Sequence, residues 1–182
     1  MPQIAQSPII GIAGPARAGK DTVANFILAE IGGYRYSFAD PIYAMLRQLG
    51  IDMSDPYWEM RKEETIPALG TSPRHMMQTL GTEWGRQLIN PDLWVILAHQ
   101  RLLHNGPGMI VPGVRFENEA LWIRKNGGRI IHLSRPDARK VKAHISENGV
   151  TQEPNDWYIY NDSTLEALQA KVKGIFDGQP KA

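Results

Sequence analysis

The sequence contains no cysteine, which excludes disulfide scaffolds, cysteine nucleophiles and thiolate metal sites together. It also lacks any apolar run near the roughly 20 residues of a membrane-spanning helix. An excess of one charge is missing as well, because 20 basic residues face 19 acidic ones, giving a formal charge of +1. That balance does not favour a nucleic-acid partner or a polybasic membrane anchor. Because the first residues lack the features of a secretory signal, we expect a cytoplasmic protein.

What is present is the composition of one ordinary globular domain of 182 residues, with 42% hydrophobic and 21% charged residues. Short apolar runs alternate with segments of helical periodicity. The candidate strands are residues 9–13, 34–38, 109–111, 129–133 and 157–160, and the main candidate helices are residues 22–30, 73–88, 91–104, 117–126 and 165–176. This alternation predicts an α/β domain with a mostly parallel sheet that helices cover on both faces.

A phosphate-binding loop is predicted at residues 14–22, between the first strand and the first helix. Glycines let the backbone curl until several N–H groups converge on phosphate oxygens, and the helix N-terminus adds partial positive charge. Lys20 would reach the phosphate that is transferred. The residues expected to contact ATP are Gly14, Arg17, Ala18, Gly19, Lys20, Asp21 and Thr22. The alternative is a glycine-rich turn that binds nothing.

One position departs from the usual phosphate-loop pattern. Asp21 follows Lys20, where a serine or threonine hydroxyl normally binds Mg²⁺. Asp21 would then hold the metal through water, and Thr22 would touch a phosphate.

The segment 74–88 has two distinct faces when it is drawn as a helix at about 100° per residue. One face is apolar and is expected in the core: Met76, Met77, Leu80, Trp84 and Leu88. The opposite face carries Arg74, Gln78, Thr82 and Arg86.

Two glycines favour a ligand on this polar face. Gly81 and Gly85 lie beside Arg74 on the wheel, and each costs a helix about 1 kcal/mol relative to alanine. Leaving room for a ligand would account for that cost, because arginine binds phosphate and Gln78 can recognise a base edge. An ordinary solvated face is the alternative.

Two further segments carry candidate residues. Arg115, Glu117 and Asn118 follow the third strand, and ligands collect beyond the carboxyl ends of such strands. For Glu117, the preference of acids for helix N-termini is a sufficient alternative. Residues 135–155 are basic and lack apolar periodicity, which predicts a lid with Arg135 and Arg139 closing over ATP, or else a solvated loop.

The chain resembles the deoxynucleoside monophosphate kinases of tailed bacteriophages and prophages. The resemblance covers most of the chain and rests on these segments: residues 14–22, Phe38-Ala39-Asp40-Pro41, residues 78–86, Val114-Arg115-Phe116-Glu117-Asn118-Glu119, and His144 with Ser146-Glu147. It implies a P-loop nucleoside monophosphate kinase fold with a five-stranded parallel sheet, an acceptor-binding helical region at about 41–104 and a lid. It also implies Mg-ATP as the donor and deoxynucleoside monophosphates as acceptors.

The resemblance also implies roles for the candidate residues. Lys20, Arg135 and Arg139 would be catalytic. The acceptor would be bound by Asp40, Arg74, Gln78, Trp84, Arg86, Arg115, Glu117 and Asn118. Such proteins usually carry an acid just before Val-Arg-Phe, where this chain has Gly113, so the metal would depend on Asp21, Asp40, Glu117 or water.

Two other functions stay open at this point. One is a P-loop kinase of another small acceptor, such as dephospho-coenzyme A or a sugar acid, which would need no base-recognising amide like that of Gln78. The other is a nucleotide-dependent binding module without kinase activity, for which Gly113 is the supporting feature. The sequence does not decide which bases are accepted, or between a monomer and a homodimer.

Overall fold

The computed structural model describes residues 8–136 and 149–177 of the chain. The chain divides into two compact units. The first comprises the described parts of Met1–Ser37 and Ala98–Ala182, and the second is Phe38–Leu97. In the part of the chain that the structure describes, every helix is too short or too polar to cross a bilayer.

The first unit is built on a five-stranded parallel sheet in the order β2-β3-β1-β4-β5. The strands are β1 (Ile10–Ala13), β2 (Tyr34–Arg35), β3 (Met109–Val114), β4 (Arg129–Ser134) and β5 (Trp157–Tyr160). All five predicted strands are confirmed. β3 extends three residues further than the apolar run Met109-Ile110-Val111 predicted, and β2 ends earlier than predicted.

Helices cover both faces of this sheet, as predicted. Helices α1 (Lys20–Ile31) and α7 (Leu165–Phe176) pack with Ile10 and Ile12 of β1 in the main core. Gly11 lies between these two isoleucines and faces the other way, where a Cβ would meet Ile123 of α6 (Glu117–Lys125). Side chains alternate between the two faces of a strand, so these contacts place α6 on the face opposite to α1 and α7. The predicted α/β fold class is confirmed.

The second unit is helical. It contains α2 (Asp40–Gln48), α3 (Pro56–Met60), α4 (Pro73–Gln78), a π-helix (Thr79–Ile89) and the start of α5 (Leu93–Asn105). Leu46, Ile51 and Met53 form its small core, and partly buried side chains of α4 and the π-helix pack against them. α4 begins with Ser72, whose hydroxyl accepts a hydrogen bond from the His75 N–H, and with Pro73 in the first helical position.

The π-helix overturns part of the predicted two-faced helix. The prediction assumed α-helical spacing from 73 to 88, but from Thr79 onward the hydrogen bonds span five residues and the turns are wider. The side chains therefore rotate away from the positions of the α-helical wheel. Trp84 and Leu88, expected in the core, are 38% and 76% exposed, whereas Thr82, expected on the polar face, is 5% exposed.

Candidate functional site

The loop between β1 and α1 has the backbone of a phosphate site. Gly14, Arg17 and Gly19 all have positive φ, at 146°, 64° and 101°. Residues of this kind let successive N–H groups turn toward a common point, which makes a concave anion site. Gly14 is needed for a second reason, because a Cβ there would lie 2.2 Å from the carbonyl oxygen of Leu133 in β4.

Lys20 lies folded over this loop. Its ammonium donates to the carbonyl oxygens of Gly14, at 2.9 Å, and Pro15, at 2.7 Å. The same residue begins α1, so the ammonium and the helix N-terminus lie at one place. Together they supply positive charge where the predicted phosphates would bind.

Asn161 is a residue of this site that the sequence interpretation missed. It follows β5 directly, is 9% exposed, and donates from Nδ2 to the carbonyl oxygen of Ala18 at 2.9 Å. A polar residue at the carboxyl end of a predicted strand was the available signal, since that edge of a parallel sheet carries the ligand sites.

Asp21 forms an ion pair with Arg35, at the end of β2, and both side chains are exposed. Among the described residues, no three acidic or histidine side chains come close enough to hold a metal ion. A single accessible carboxylate suits Mg²⁺, which keeps most of its waters and is held largely by substrate phosphates. The donor groups at this loop are therefore compatible with a magnesium ion that is held mainly by its own waters and by a bound phosphate.

The end of β3 lies beside the start of the phosphate loop, because Val114 pairs with Ala13 of β1. The register shifts here, and Gly113 has φ 83°, a left-handed conformation that favours glycine. Among the described residues, none lies within 4 Å of the place that a Cβ at Gly113 would take. Backbone conformation, and not lack of space, therefore favours glycine at this position.

The residues after β3 are held by local hydrogen bonds. Glu119 is buried, and its Oε2 accepts from the backbone N–H groups of Arg115, at 2.8 Å, and Phe116, at 3.2 Å. Arg115 and Asn118 are both half-buried. Glu119 thus fixes the backbone that carries Arg115 and Asn118 at the edge of the sheet where the phosphate loop begins.

Glu117 contacts Thr151, near the end of the predicted lid at residues 135–155. Its Oε1 accepts from the Thr151 backbone N–H at 2.6 Å and from the Thr151 hydroxyl at 2.7 Å. The hydroxyl bond is the main reason that the pKa of Glu117 lies below its ordinary value. Arg135 is exposed after β4, whereas Arg139 and residues 137–148 of the predicted lid lie outside the described residues.

The predicted acceptor residues of the second unit already have neighbours within that unit. Arg74 forms an ion pair with Glu63 at 2.8 Å, and Arg86 donates to the carbonyl oxygen of Gly81 at 2.7 Å. Trp84 stands 6.4 Å from Trp94 between ring centroids. Asp40 begins α2 on the surface, and Gln78 ends α4 half-buried.

The two glycines of the π-helix have a packing role. A Cβ at Gly85 would lie 2.4 Å from the Trp94 ring, and one at Gly81 would lie 3.0 Å from Ile42. The indole N–H of Trp94 also donates to the Gly81 carbonyl at 2.8 Å. Close packing of the helices explains these glycines, so they are not an argument for a ligand on this face.

A model of the deoxynucleotide monophosphate kinase family matches residues 70–172, which is more than half of the chain. The chain belongs to this family. It is therefore a phosphotransferase that phosphorylates deoxynucleoside monophosphates, and the predicted family, enzyme class and function are confirmed.

Phage enzymes of this family are similar over most of their length. The deoxynucleotide monophosphate kinase of Enterobacteria phage T4 is 26% identical, over 91% of this chain and 97% of its own. The deoxynucleoside-5'-monophosphate kinase of Escherichia phage T5 is also 26% identical, over 65% of this chain and 72% of its own.

Among solved structures, a dephospho-CoA kinase from Campylobacter jejuni covers 93% of this chain and 95% of its own, with 11% identity and a TM-score of 0.45. A gluconokinase from Sinorhizobium meliloti covers 96% and 98%, with 10% identity and a TM-score of 0.46. TM-scores of this size add nothing to what the sheet itself establishes.

Proposed function

We propose that this kinase binds ATP in the loop 14–22 and transfers the γ-phosphoryl group to the phosphate of a deoxynucleoside monophosphate. An oxygen of the acceptor phosphate attacks the γ-phosphorus, the bond to the β-phosphate oxygen breaks, and ADP leaves. The product is a deoxynucleoside diphosphate, a DNA precursor, and the proposal places the reaction in the cytoplasm of a bacterial host. In this proposal the binding partner of the kinase is the acceptor nucleotide. Neither a nucleic acid nor a membrane takes part in the reaction.

The phosphate loop is the observation that carries the proposal. Three of its residues have positive φ, a backbone that allows N–H groups to turn toward one point, and Lys20 places an ammonium over the loop carbonyls at 2.7–2.9 Å. On binding ATP, that ammonium would exchange the carbonyls for phosphate oxygens. Positioning and charge neutralisation then supply the catalysis, and no covalent enzyme intermediate is needed.

The acceptor residues are assigned by their chemistry. Some of Arg74, Arg86 and Arg115 bind the acceptor phosphate through paired guanidinium bonds, and Gln78 orients the base with Trp84 as a helper. Asp40 binds the acceptor sugar or a water of the metal, and Glu117 and Asn118 complete the set. Arg135 and Arg139 neutralise charge on the transferred group. Mg²⁺ carried by ATP would add Lewis-acid neutralisation of the phosphates, with Asp21 contacting it through water.

Lys20→Ala tests the donor site. Turnover should fall by orders of magnitude, because the residue that bridges the phosphates is gone, while the far-ultraviolet circular dichroism spectrum stays the same. Lys125→Ala, at the exposed end of α6, is the matched control and should keep wild-type turnover. Near-normal turnover of Lys20→Ala would remove the loop from catalysis.

Arg74→Ala, Arg86→Ala and Gln78→Ala test the acceptor site in a coupled ADP-release assay with a panel of deoxynucleoside monophosphates. Each arginine variant should lose about 1.5–3 kcal/mol of acceptor binding, or roughly ten- to hundredfold in kcat/KM, at unchanged KM for ATP. Gln78→Ala should change the ranking of the bases. The exposed Arg61→Ala is the control, and thermal unfolding checks that each variant is folded.

The same assay distinguishes this activity from the two alternatives, a kinase of another small acceptor and a nucleotide-dependent binding module. Turnover of dephospho-coenzyme A or a sugar acid, with none of the monophosphates, would indicate another small acceptor. ATP binding without turnover of any acceptor would indicate a binding module. Unaltered acceptor kinetics in all three variants would remove this helix face from the site.

A further inference from the structure

Asn161 joins the end of β5 to the phosphate loop, although 143 positions separate it from Ala18. Its backbone N–H donates to the carbonyl oxygen of Ser134 at 2.8 Å, which continues the pairing of β5 with β4. Its side-chain Nδ2 donates to the carbonyl oxygen of Ala18 at 2.9 Å, in a buried contact. The sheet therefore fixes the backbone of Asn161, and its side chain fixes one carbonyl of the loop.

This contact sets the direction of a neighbouring N–H group. The Ala18 carbonyl and the Gly19 N–H belong to one planar trans peptide, in which the two groups point in opposite directions. A carbonyl that points at Asn161 therefore turns the Gly19 N–H away from β5. Gly19 directly precedes Lys20, so this N–H lies next to the residue whose ammonium covers the loop.

Gly19 and Asn161 fit each other. A Cβ at Gly19 would lie 3.0 Å from Asn161 Nδ2, which is too close for an ordinary contact. Gly19 also has φ 101° and ψ 21°, a conformation that other residues adopt only with strain. Glycine at position 19 thus permits both the close approach of the Asn161 side-chain amide and the orientation of the Ala18–Gly19 peptide.

We propose that Asn161 is a positioning residue of the phosphate site, and that its amide holds the Ala18–Gly19 peptide so that the Gly19 N–H donates to a phosphate of the donor nucleotide. The inference rests on the proposed function, since it requires a polyphosphate in the loop. Its energetic basis is preorganisation: a peptide that is already oriented loses no freedom when the anion binds.

The experiment compares two ligands by isothermal titration calorimetry: ATP, and inorganic tripolyphosphate, which has no base or sugar. The proteins are the wild type, Asn161→Ala and Asn161→Ser, with Asp162→Asn as the control at the next, exposed position. If Asn161 positions the loop, its alanine variant should bind both ligands about tenfold more weakly, equivalent to about 1.4 kcal/mol. Asp162→Asn should bind both as the wild type does.

A spectroscopic readout tests the Gly19 N–H directly. In proton–nitrogen correlation spectra, the wild-type Gly19 amide should shift downfield when tripolyphosphate is added. In Asn161→Ala and Asn161→Ser that shift should shrink, and the thermal midpoint of unfolding shows which variants are folded. The wild-type spectrum also gives an answer that does not depend on the folding of any variant.

Three outcomes would overturn the inference. Weaker binding of ATP with unchanged binding of tripolyphosphate would mean that Asn161 recognises the nucleoside. Unchanged binding of both ligands, or no shift of the wild-type Gly19 amide, would mean that the contact has no role in anion binding. A wild-type protein that binds neither ligand would instead refute the proposed function, so the two failures are distinguishable.

Discussion

Asp21 places a negative charge within the first turn of α1, next to the lysine that is expected to bind phosphates. The structure offsets that charge through Arg35, which pairs with the Asp21 carboxylate from the end of β2. Both side chains are exposed, so the pair contributes little to stability. Its importance lies in the electrostatic potential at the phosphate loop, because an uncompensated carboxylate there would repel ATP.

A double-mutant cycle on this pair isolates the effect. Arg35→Ala should raise the KM for ATP roughly fivefold at low ionic strength, as expected for about 1 kcal/mol of repulsion. The increase in KM should be smaller in 0.5 M salt, because salt screens the repulsion. In an Asp21→Asn background, Arg35→Ala should leave the KM for ATP unchanged, because the carboxylate charge that Arg35 offsets is already gone.

The control for this cycle is Lys173→Ala, which removes one positive charge from the exposed surface of α7. An equal effect of Arg35→Ala in both backgrounds would contradict charge compensation, and would mean that Arg35 acts on the nucleotide without Asp21.

At the scale of the element, the π-helix shows how packing overrides local preference. Gly85 is buried against Trp94, so the indole occupies the space that a side chain at Gly85 would take. The same indole donates to the carbonyl of Gly81, and Ile42 lies beside the Cβ position of Gly81. Arg86 donates to the same carbonyl. These contacts lie within one unit and account for the glycines without a ligand.

Gly85→Ala should therefore destabilise the protein. The new methyl group would lie 2.4 Å from the Trp94 ring and 2.9 Å from the Leu80 carbonyl oxygen, and overpacking of this kind costs roughly 1–3 kcal/mol. Chemical denaturation followed by tryptophan fluorescence measures the change in the free energy of unfolding.

Gly174→Ala is the matched control, since it is also a glycine inside a helix. Among the described residues, none lies within 4 Å of its Cβ position in α7, so alanine should stabilise the protein by roughly 0.5–1 kcal/mol. A Gly85→Ala protein as stable as the wild type would show that the indole can move aside.

At the scale of the whole molecule, an ionic cluster joins segments of the sheet unit that are distant in sequence. Asp156, 4% exposed in its side chain, accepts from Arg124 at 2.6 Å and contacts His132 Nε2 at 2.9 Å. Burial opposes ionisation of Asp156, but the hydrogen bonds from Arg124 and His132 outweigh it and keep the pKa of this carboxyl below its ordinary value. Arg124 also donates to the Thr151 carbonyl, so the cluster links α6, β4 and the chain before β5.

This cluster should make stability depend on acid pH. A carboxyl whose pKa is lower in the folded state stabilises the protein above its unfolded pKa of about 3.9, and that stability is lost as the pH falls through the folded pKa. Asp156→Asn should lower the free energy of unfolding at pH 7 by roughly 1.5–3 kcal/mol, since it loses charged hydrogen bonds.

The difference between this variant and the wild type should shrink as the pH falls below about 4. Urea denaturation at pH 7, 5, 4 and 3 measures it, with the exposed Asp177→Asn as the control. A difference that is constant over this range would show that the charge on Asp156 is not what stabilises the cluster.

The sequence alone determined the features that depend on neighbours in the chain. Apolar runs and helical periodicity placed five strands and the helices of the sheet unit, because alternation and spacing follow from local backbone geometry. The strand–loop–helix context of residues 14–22 was equally accessible, since glycine and lysine at fixed offsets favour a loop of this shape, while its binding of ATP stays a prediction.

Only the tertiary structure decided what depends on partners distant in sequence. The α-helical wheel failed after Gln78, because contacts with Trp94 and Ile42 favour a π-helix that no local pattern marks. The contact of Asn161 with Ala18 was equally hidden, since a lone asparagine after a strand fits many environments. Such contacts depend on which strands lie side by side, and strand order is set by the packing of the whole sheet.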